Sequence, residues 1–353
     1  MKIGQNIINN AIKFKRVSYI KDSCTVLQNA VQYKKTTLTP SFYYTKPSIR
    51  MYSTNSVNCP NNMIIDSFLV SRLVTRQFPQ FKNLPIKAVE PGGWDNRTFR
   101  LGNEYLVRLP SNEEYSIQVD KEQKWLPYLA KLLPLEIPEP IELGKADDGY
   151  PWQWSIYKWI DGDTAASSRH TIDLNSFAKQ LANFLKSLHL MDASNGPNPG
   201  IHNFQRGGEL SYYDSETRSA ITELNTIINP KTAHMIWDEA ISTKWQRPPV
   251  WVHGDISAGN LLVKDEVLSA VIDFGMLSVG DPACDLSIAW TFFDKESREV
   301  FKSCLELDND TWLRARGWTL WKALIVTADF SSTNEVEKRN ASQVLNTILT
   351  ETQ

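Results

Sequence analysis

The chain has 353 residues and is 42% hydrophobic, which suits two lobes or domains with ordinary globular cores rather than one small core. No apolar run approaches the ~20 residues of a membrane span. The four cysteines (Cys24, Cys59, Cys284, Cys304) lack metal-ligand spacing and point to a reduced compartment. Residues 1–52 carry nine Lys or Arg against Asp22 alone, a balance of +8, so the rest sums to −10 within the overall −2. That acidic body argues against a nucleic-acid partner and is compatible with a cationic small molecule.

The basic segment 1–52 has Ile7, Ala11 and Phe14 on one helical face and Lys13 and Arg16 on the other. It has the composition of an organelle transit peptide and ends in Arg50-Met-Tyr-Ser53, which resembles a mitochondrial matrix processing site. A mitochondrial destination is therefore expected, with a cytoplasmic protein carrying a basic tail as the alternative. Residues 53–62 read as a linker. Ile64, Phe68, Leu69 and Leu73 or Val74 then predict an amphipathic helix ahead of the first lobe, so residues 53–80 form a separate linker-and-helix segment.

From residue 81 the pattern becomes strand and turn. Ala88-Val89 lead into Gly92-Gly93-Trp94-Asp95-Asn96, a strand follows to Leu101, and Tyr105 to Leu109 form another strand that carries Arg108. Glu113 to Leu133 has helical spacing at Ile117, Trp125, Leu129 and Leu132 or Leu133, with Glu122 on the same helix. Pro134, Pro138 and Pro140 end it. A hairpin around Asp147-Asp148-Gly149 returns through the apolar run Trp154 to Ile160, which closes a small lobe at about residues 81–157. Beyond it the chain is mostly helical to residue 353, with Asp173 a candidate N-cap for a long helix through Leu188.

One stretch interrupts those helices. Trp251-Val-His-Gly-Asp255 is followed by Asn260, the short strand Leu261 to Val263, a turn at Lys264-Asp265-Glu266, and a second strand ending at Asp273-Phe-Gly275. Asp255, Asn260 and Asp273 thus meet at one end of a hairpin, and their hard oxygen atoms suit Mg²⁺. The His-x-Asp-x-x-x-x-Asn spacing followed by Asp-Phe-Gly resembles the catalytic and metal loops of phosphoryl-transferring kinases.

With Lys-Glu-Gln-Lys-Trp-Leu126 and Gly-Asp-Pro-Ala-Cys-Asp-Leu286, these pieces resemble the aminoglycoside phosphotransferase family of protein-kinase-like small-molecule kinases, in that family's order and over residues 63–350. The resemblance implies an α+β, two-lobed fold, with a small antiparallel-sheet lobe and a large, mainly helical lobe at 158–353. It implies ATP, Mg²⁺ and a small hydroxyl-bearing acceptor, polar or cationic. Asp255 would be the catalytic aspartate, and Asn260 and Asp273 would hold metal. Gly93 and Asn96 would approach the phosphates, Arg108 would bind them and be held by Glu122, and backbone groups near Tyr157 to Trp159 would meet the adenine. Asp281 and Asp285 would brace the catalytic loop or touch substrate. Arg108 stands where protein kinases place Lys. That departure leaves two alternatives, a non-catalytic nucleotide-binding pseudokinase and a Mg²⁺-dependent hydrolase.

Overall fold

The structure is a computed structural model that describes residues 64–351 except 91, 94 and 332, all within one compact unit. The expected leader at 1–52 and the linker at 53–62 lie outside the described residues. No helix among the described residues is long and apolar enough to cross a membrane.

The small lobe begins with helix α1 (Ser67–Gln77), whose first turn is capped by Asp66 accepting from the Leu69 N–H at 2.9 Å. Strands β1 (Ile86–Ala88), β2 (Asn96–Leu101) and β3 (Tyr105–Pro110) follow, then helix α2 (Glu113–Leu129), β4 (Pro140–Gly144) and β5 (Trp154–Lys158). The sheet is antiparallel in the order β1-β2-β3-β5-β4, so β2, β3 and β5 are its inner strands. Pro140, which has no N–H to donate, sits on the edge strand beside an irregularity in register.

Leu69, Leu73 and Val74 of α1 share one apolar core with Phe99, Leu101, Val107, Trp154 and Ile156 of the sheet. The helix is therefore part of the small lobe rather than a separate segment before it. Its buried stripe is Leu69, Val70, Leu73 and Val74, while Ile64 and Phe68 face outward. In α2 the expected inner residue Ile117 is also exposed, whereas Leu129 is buried and, of Leu132 or Leu133 just past the helix end, Leu133 is the buried one. The buried face instead holds Gln118, Val119, Lys121, Glu122, Leu126 and Leu129. Polar side chains occupy inward positions there because the face looks partly onto the interlobe site, and apolar spacing alone does not find them.

The large lobe runs through β6 (Asp163–Thr164), α3 (Ala165–Ser168), α4 (Leu174–His189), α5 (Asp214–Glu223), α6 (Pro230–Ser242), β7 (Val250–Val252), β8 (Leu261–Lys264), β9 (Val267–Val271), β10 (Ser278–Gly280), α7 (Ile288–Thr291), α8 (Lys295–Leu305), α9 (Asn309–Thr327) and α10 (Glu335–Thr350). Asp173 caps α4 through the Ser176 N–H, as its position predicts. Strands β8 and β9 form the expected hairpin, with Asp265 and Glu266 at positive φ in its tight turn. β6 adds a third strand to it. Helix α9 is buried on nearly every face and packs against α5, α6, α10 and the tight turn Pro282–Ser287.

The lobes touch through α2. Trp125 packs edge-on against Trp251 at 4.9 Å between ring centres. Lys121 Nζ lies 3.0 Å from His202 Nδ1, and His202 Nε2 lies 2.8 Å from the Asn198 carbonyl. Nε2–H donates to that carbonyl, which leaves Nδ1 to accept from Lys121. Burial lowers the Lys121 pKa to about 8.

Candidate active site

Strand β7 delivers His253, which is fully buried, into the loop that carries Asp255. The Asp255 N–H lies 3.1 Å from His253 Nδ1, and His253 Nε2 lies 3.0 Å from the Ile272 carbonyl. Nδ1 must accept, so Nε2 carries the proton and donates. One imidazole thereby joins the Asp255 loop to the residue preceding Asp273. Phe274 lies edge-on to the same ring at 4.5 Å.

Below this loop, Asp285 accepts the N–H groups of both His253 and Gly254 at 2.7 Å. Burial pushes its carboxyl up to about 6, against the lowering effect of His253 and the two N–H groups. Asp285 is the brace expected from the sequence. Asp281 does something else: it accepts from Arg314 of α9 at 2.6 and 3.3 Å and from the Ala283 N–H at 3.1 Å, fixing the central helix. Gly254 has φ +88°, and a Cβ there would lie 2.5 Å from the Met276 carbonyl oxygen. Only glycine fits both the conformation and the space.

Asn260 Nδ2 donates to the Asp255 carboxylate at 2.9 Å and to its main-chain carbonyl at 3.0 Å. The amide thus orients Asp255 while keeping its Oδ1 as an acceptor. Asp273 occupies the left-handed region (φ 67°, ψ 67°), a conformation Asp tolerates better than most residues and one that recurs at functional sites.

Across the cleft, Arg108 of β3 donates to Asp273 Oδ1 at 2.7 Å and to Glu122 Oε1 at 3.3 Å. Its side chain is only 12% exposed. Burial alone would lower the guanidinium pKa, but the charges of Asp273 and Glu122 hold it above its ordinary value. Asp273 shows the reverse balance. Burial works to raise its pKa, yet the charge and hydrogen bond of Arg108, helped by His253 and the Gly275 N–H, bring it below the usual range.

Gly93 is exposed, and its carbonyl accepts from Arg97 at 2.8 Å; Asn96 begins β2 opposite Pro110. In the stretch whose backbone groups were expected near the adenine, the Tyr157 and Trp159 side chains have protein partners. Tyr157 is 1% exposed, pairs with Leu106 and Pro140 in the sheet, and donates its hydroxyl to Glu122 Oε2 at 2.5 Å. Trp159 commits its backbone N–H to the Glu104 carbonyl at 2.7 Å and its indole to Asp161 at 2.7 Å, with Arg100 stacked 3.6 Å from the ring centre. Strand alternation turns Tyr157 inward, so its role is to hold the partner of Arg108.

A family model described as "Phosphotransferase enzyme family" matches residues 86–318, which include Arg108, Glu122, Asp255, Asn260 and Asp273. The chain belongs to this family. No curated protein matches it. Among solved structures, the phosphotransferase is similar to the GDP and kanamycin complex of APH(2")-IIia, with 16% identity, a TM-score of 0.61, and coverage of 80% of this chain and 98% of the other. A macrolide 2'-phosphotransferase type I gives 20%, 0.54, and coverage of 79% and 96%. The macrolide 2'-phosphotransferase MphH from Brachybacterium faecium gives 19%, 0.52, and coverage of 79% and 98%. These likenesses establish the protein-kinase-like, two-lobed α+β fold.

The phosphotransferase site also holds a residue to which sequence reading assigned no role. Asp95, in the glycine-bearing turn, has its carboxyl raised to about 7, first by burial and then by Asp273; Asp255 adds to the rise and Arg108 opposes it. Its place in the Gly-Gly-Trp-Asp-Asn turn is visible in the sequence, but its approach to Asp273 is not. Three carboxylates around one guanidinium, with the Asn260 amide beside them, make an all-oxygen donor set rich in negative charge. Among the described residues, no group of three or more His, Cys, Asp or Glu has metal-holding geometry, so any cation would draw on the Asn260 carboxamide as well.

Proposed function

We propose that this phosphotransferase moves the γ-phosphoryl group of ATP to a hydroxyl of a small polar molecule, with Mg²⁺ as the metal. The observation that supports this most is the convergence of Asp255, Asn260 and Asp273 at the mouth of the hairpin, opposite the Arg108–Glu122 pair. The residues fit a hard divalent cation, because the Asp255, Asn260 and Asp273 side chains offer oxygen donors. Asn260 Oδ1 and Asp273 would hold Mg²⁺, which when bound neutralises phosphate oxygens and orients them for in-line transfer.

The protein's own groups do the rest. Asp255 accepts the proton of the attacking hydroxyl and fixes its direction, and the Asn260 amide keeps its carboxylate from rotating away. Arg108, clamped by Glu122 and Asp273, presents charge to the phosphates from the small lobe. The backbone at Gly92 and Gly93 is open enough to approach them as well: a Cβ on either glycine would meet nothing closer than 3.5 Å. Solved neighbours were captured with GDP, with ADP, and with streptomycin and ATP, which supports a nucleotide in this cleft. The intact Asp255, Asn260 and Asp273 set argues against the pseudokinase alternative.

The test is ADP release from ATP with Mg²⁺, with and without hydroxyl acceptors, and with GTP run in parallel. Asp255→Asn keeps the hydrogen-bonding shape but removes the proton acceptor, and turnover should fall about 10²- to 10⁴-fold, the usual contribution of such a group. Equal turnover in wild type and variant would overturn the assignment. The basic leader 1–52 we propose as a mitochondrial targeting segment, on composition and on Arg50-Met-Tyr-Ser53.

A further inference from the structure

Gln118 lies on α2 one turn before Glu122, so the two share a face, and it is only 3% exposed. Its carboxamide rests on Gly275 of the Asp273-Phe-Gly275 turn. A Cβ on Gly275 would lie 2.5 Å from Gln118 Oε1, 3.0 Å from Cδ and 3.5 Å from Nε2. Gly275 does not take positive φ, so its backbone conformation does not call for glycine. What keeps a side chain out is the Gln118 amide. The Gly275 N–H is in turn among the donors that hold the Asp273 carboxyl below its usual range. Gln118 thus abuts the turn carrying the candidate metal ligand, from the helix that carries the partner of Arg108.

The same amide has an unmet requirement. Nε2 is buried, and among the described residues it has no hydrogen-bond partner. Asp95, in the glycine-bearing turn, is near enough for the amide to lower its pKa, behind burial and the charges of Asp273, Arg108 and Asp255, but the two do not reach hydrogen-bond geometry. Gln123, the other glutamine of α2, shows the ordinary state: its Nε2 donates to Ser155 Oγ at 2.9 Å and to the Glu142 carbonyl at 3.3 Å. A buried N–H without an acceptor destabilises a fold, so one kept at the metal turn calls for an acceptor that arrives with a ligand.

We propose that Gln118 is a nucleotide-binding residue: its Nε2 donates to a β- or γ-phosphate oxygen of the bound nucleotide, and its Oε1 edge, seated on Gly275, fixes the direction of the amide. This rests on the phosphotransferase reading. A phosphate oxygen is the acceptor that the reaction brings to this place, since Arg108 faces the same cleft from β3 and Asp273 lies two residues before Gly275. A neutral amide adds a hydrogen bond there without competing with Mg²⁺ for the Asp273 carboxylate, as a further cation would. The fit also accounts for glycine at 275, because any larger residue would push the donor aside.

The test sets nucleotide affinity against stability in the full chain. Calorimetric titration with Mg²⁺ compares AMP, ADP and a non-hydrolysable ATP analogue, and thermal melts are run without nucleotide. Gln118→Met keeps the length of the side chain and removes the donor. It should weaken the ATP analogue by about ten-fold or more, the worth of one hydrogen bond to a charged group, and leave AMP unchanged. An equal loss for ADP marks a β-phosphate oxygen, and a loss for the analogue alone marks the γ-phosphate. The nucleotide-free Tm should stay at or above the wild-type value, because the unpaired donor is gone. Gln123→Met should do the opposite, lowering Tm and leaving nucleotide affinity intact. Gly275→Ala should displace the amide and reproduce the affinity loss, and in a Gln118→Ala background it should cost nothing further.

Unchanged affinity for the ATP analogue in Gln118→Met, or a fall in its Tm like that of Gln123→Met, would overturn the proposal, since the amide would then serve only the fold. So would a proportionate loss for AMP, or a further loss when Gly275→Ala is added to Gln118→Ala. Absence of ADP binding and ATP turnover in the wild type would instead remove the phosphotransferase reading itself.

Discussion

Replacing Arg108 by Met tests whether the Arg108 clamp holds the two lobes in register. The variant keeps the aliphatic bulk but strands Glu122, whose side chain is 6% exposed, with the Tyr157 hydroxyl as its remaining hydrogen-bond partner in this network. Breaking a buried ion pair from one side costs about 3–5 kcal/mol. The Asp273 arm contributes little of this, because its side chain is 37% exposed and solvent screens it. The Tyr157 hydroxyl also still partners Glu122, so the low end, about 3 kcal/mol, applies. In a protein this large that is a fall of roughly 6 °C in Tm at ~2 °C per kcal/mol. The assay is a thermal melt of wild type, Arg108→Met, Glu122→Gln and the double variant. Neutralising Glu122 removes the stranded charge, so the double variant should be about 2 kcal/mol more stable than the sum of the single losses. Arg108→Lys, a point charge facing two carboxylates, should recover about half of the loss. Additive single effects, or a Tm fall under about 1 °C in Arg108→Met, would refute the clamp.

Asp95 makes the stability of the nucleotide-free protein depend on pH. Its carboxyl rises from 3.8 to about 7 on folding, so the folded chain holds the proton more tightly than the unfolded chain. The corresponding stability is present below pH 3.8 and lost as pH rises to about 7, at most about 4 kcal/mol at ~1.4 kcal/mol per unit. Asp95→Asn should therefore gain on the wild type in Tm between pH 5 and pH 8, and a constant difference across that range would contradict this. Gly254→Ala should lose about 2–4 kcal/mol by chemical denaturation and most of the turnover, because strain at positive φ adds to the contact with Met276; wild-type values would show that the loop relaxes freely. For the leader, N-terminal sequencing of the protein from its native cells should find a start near Ser53, and an intact Met1 in a cytosolic fraction would exclude import.

The catalytic hairpin was legible in the sequence because its geometry is local. Asp255 and Asn260 lie on one short loop, and Asp273 follows after one tight turn, so the spacing alone brings them to the same end. The Arg108–Glu122 pair was legible for a similar reason, since α2 follows β3 directly and returns across it. Asp285 could be read as a brace, because the stretch Gly280 to Asp285 follows the metal loop closely.

Contacts between distant segments were decided only by tertiary structure. Arg108 reaches Asp273 from 165 positions away, and no pattern in either segment announces it. The same holds for Asp95, whose carboxyl feels the charge of Asp273. Helical periodicity marks which residues share a face but not what that face meets. That is why Ile64, Phe68 and Ile117 read as buried yet face outward, and why Gln118 and Glu122 point inward. Tyr157 likewise reads as part of an apolar strand near the nucleotide, and only the packing of β5 beside α2 turns its hydroxyl onto Glu122. Spacing along the chain brought the catalytic-loop residues to one end of a hairpin, while the Arg108–Asp273 pair across the cleft depends on which remote segments the fold brings together.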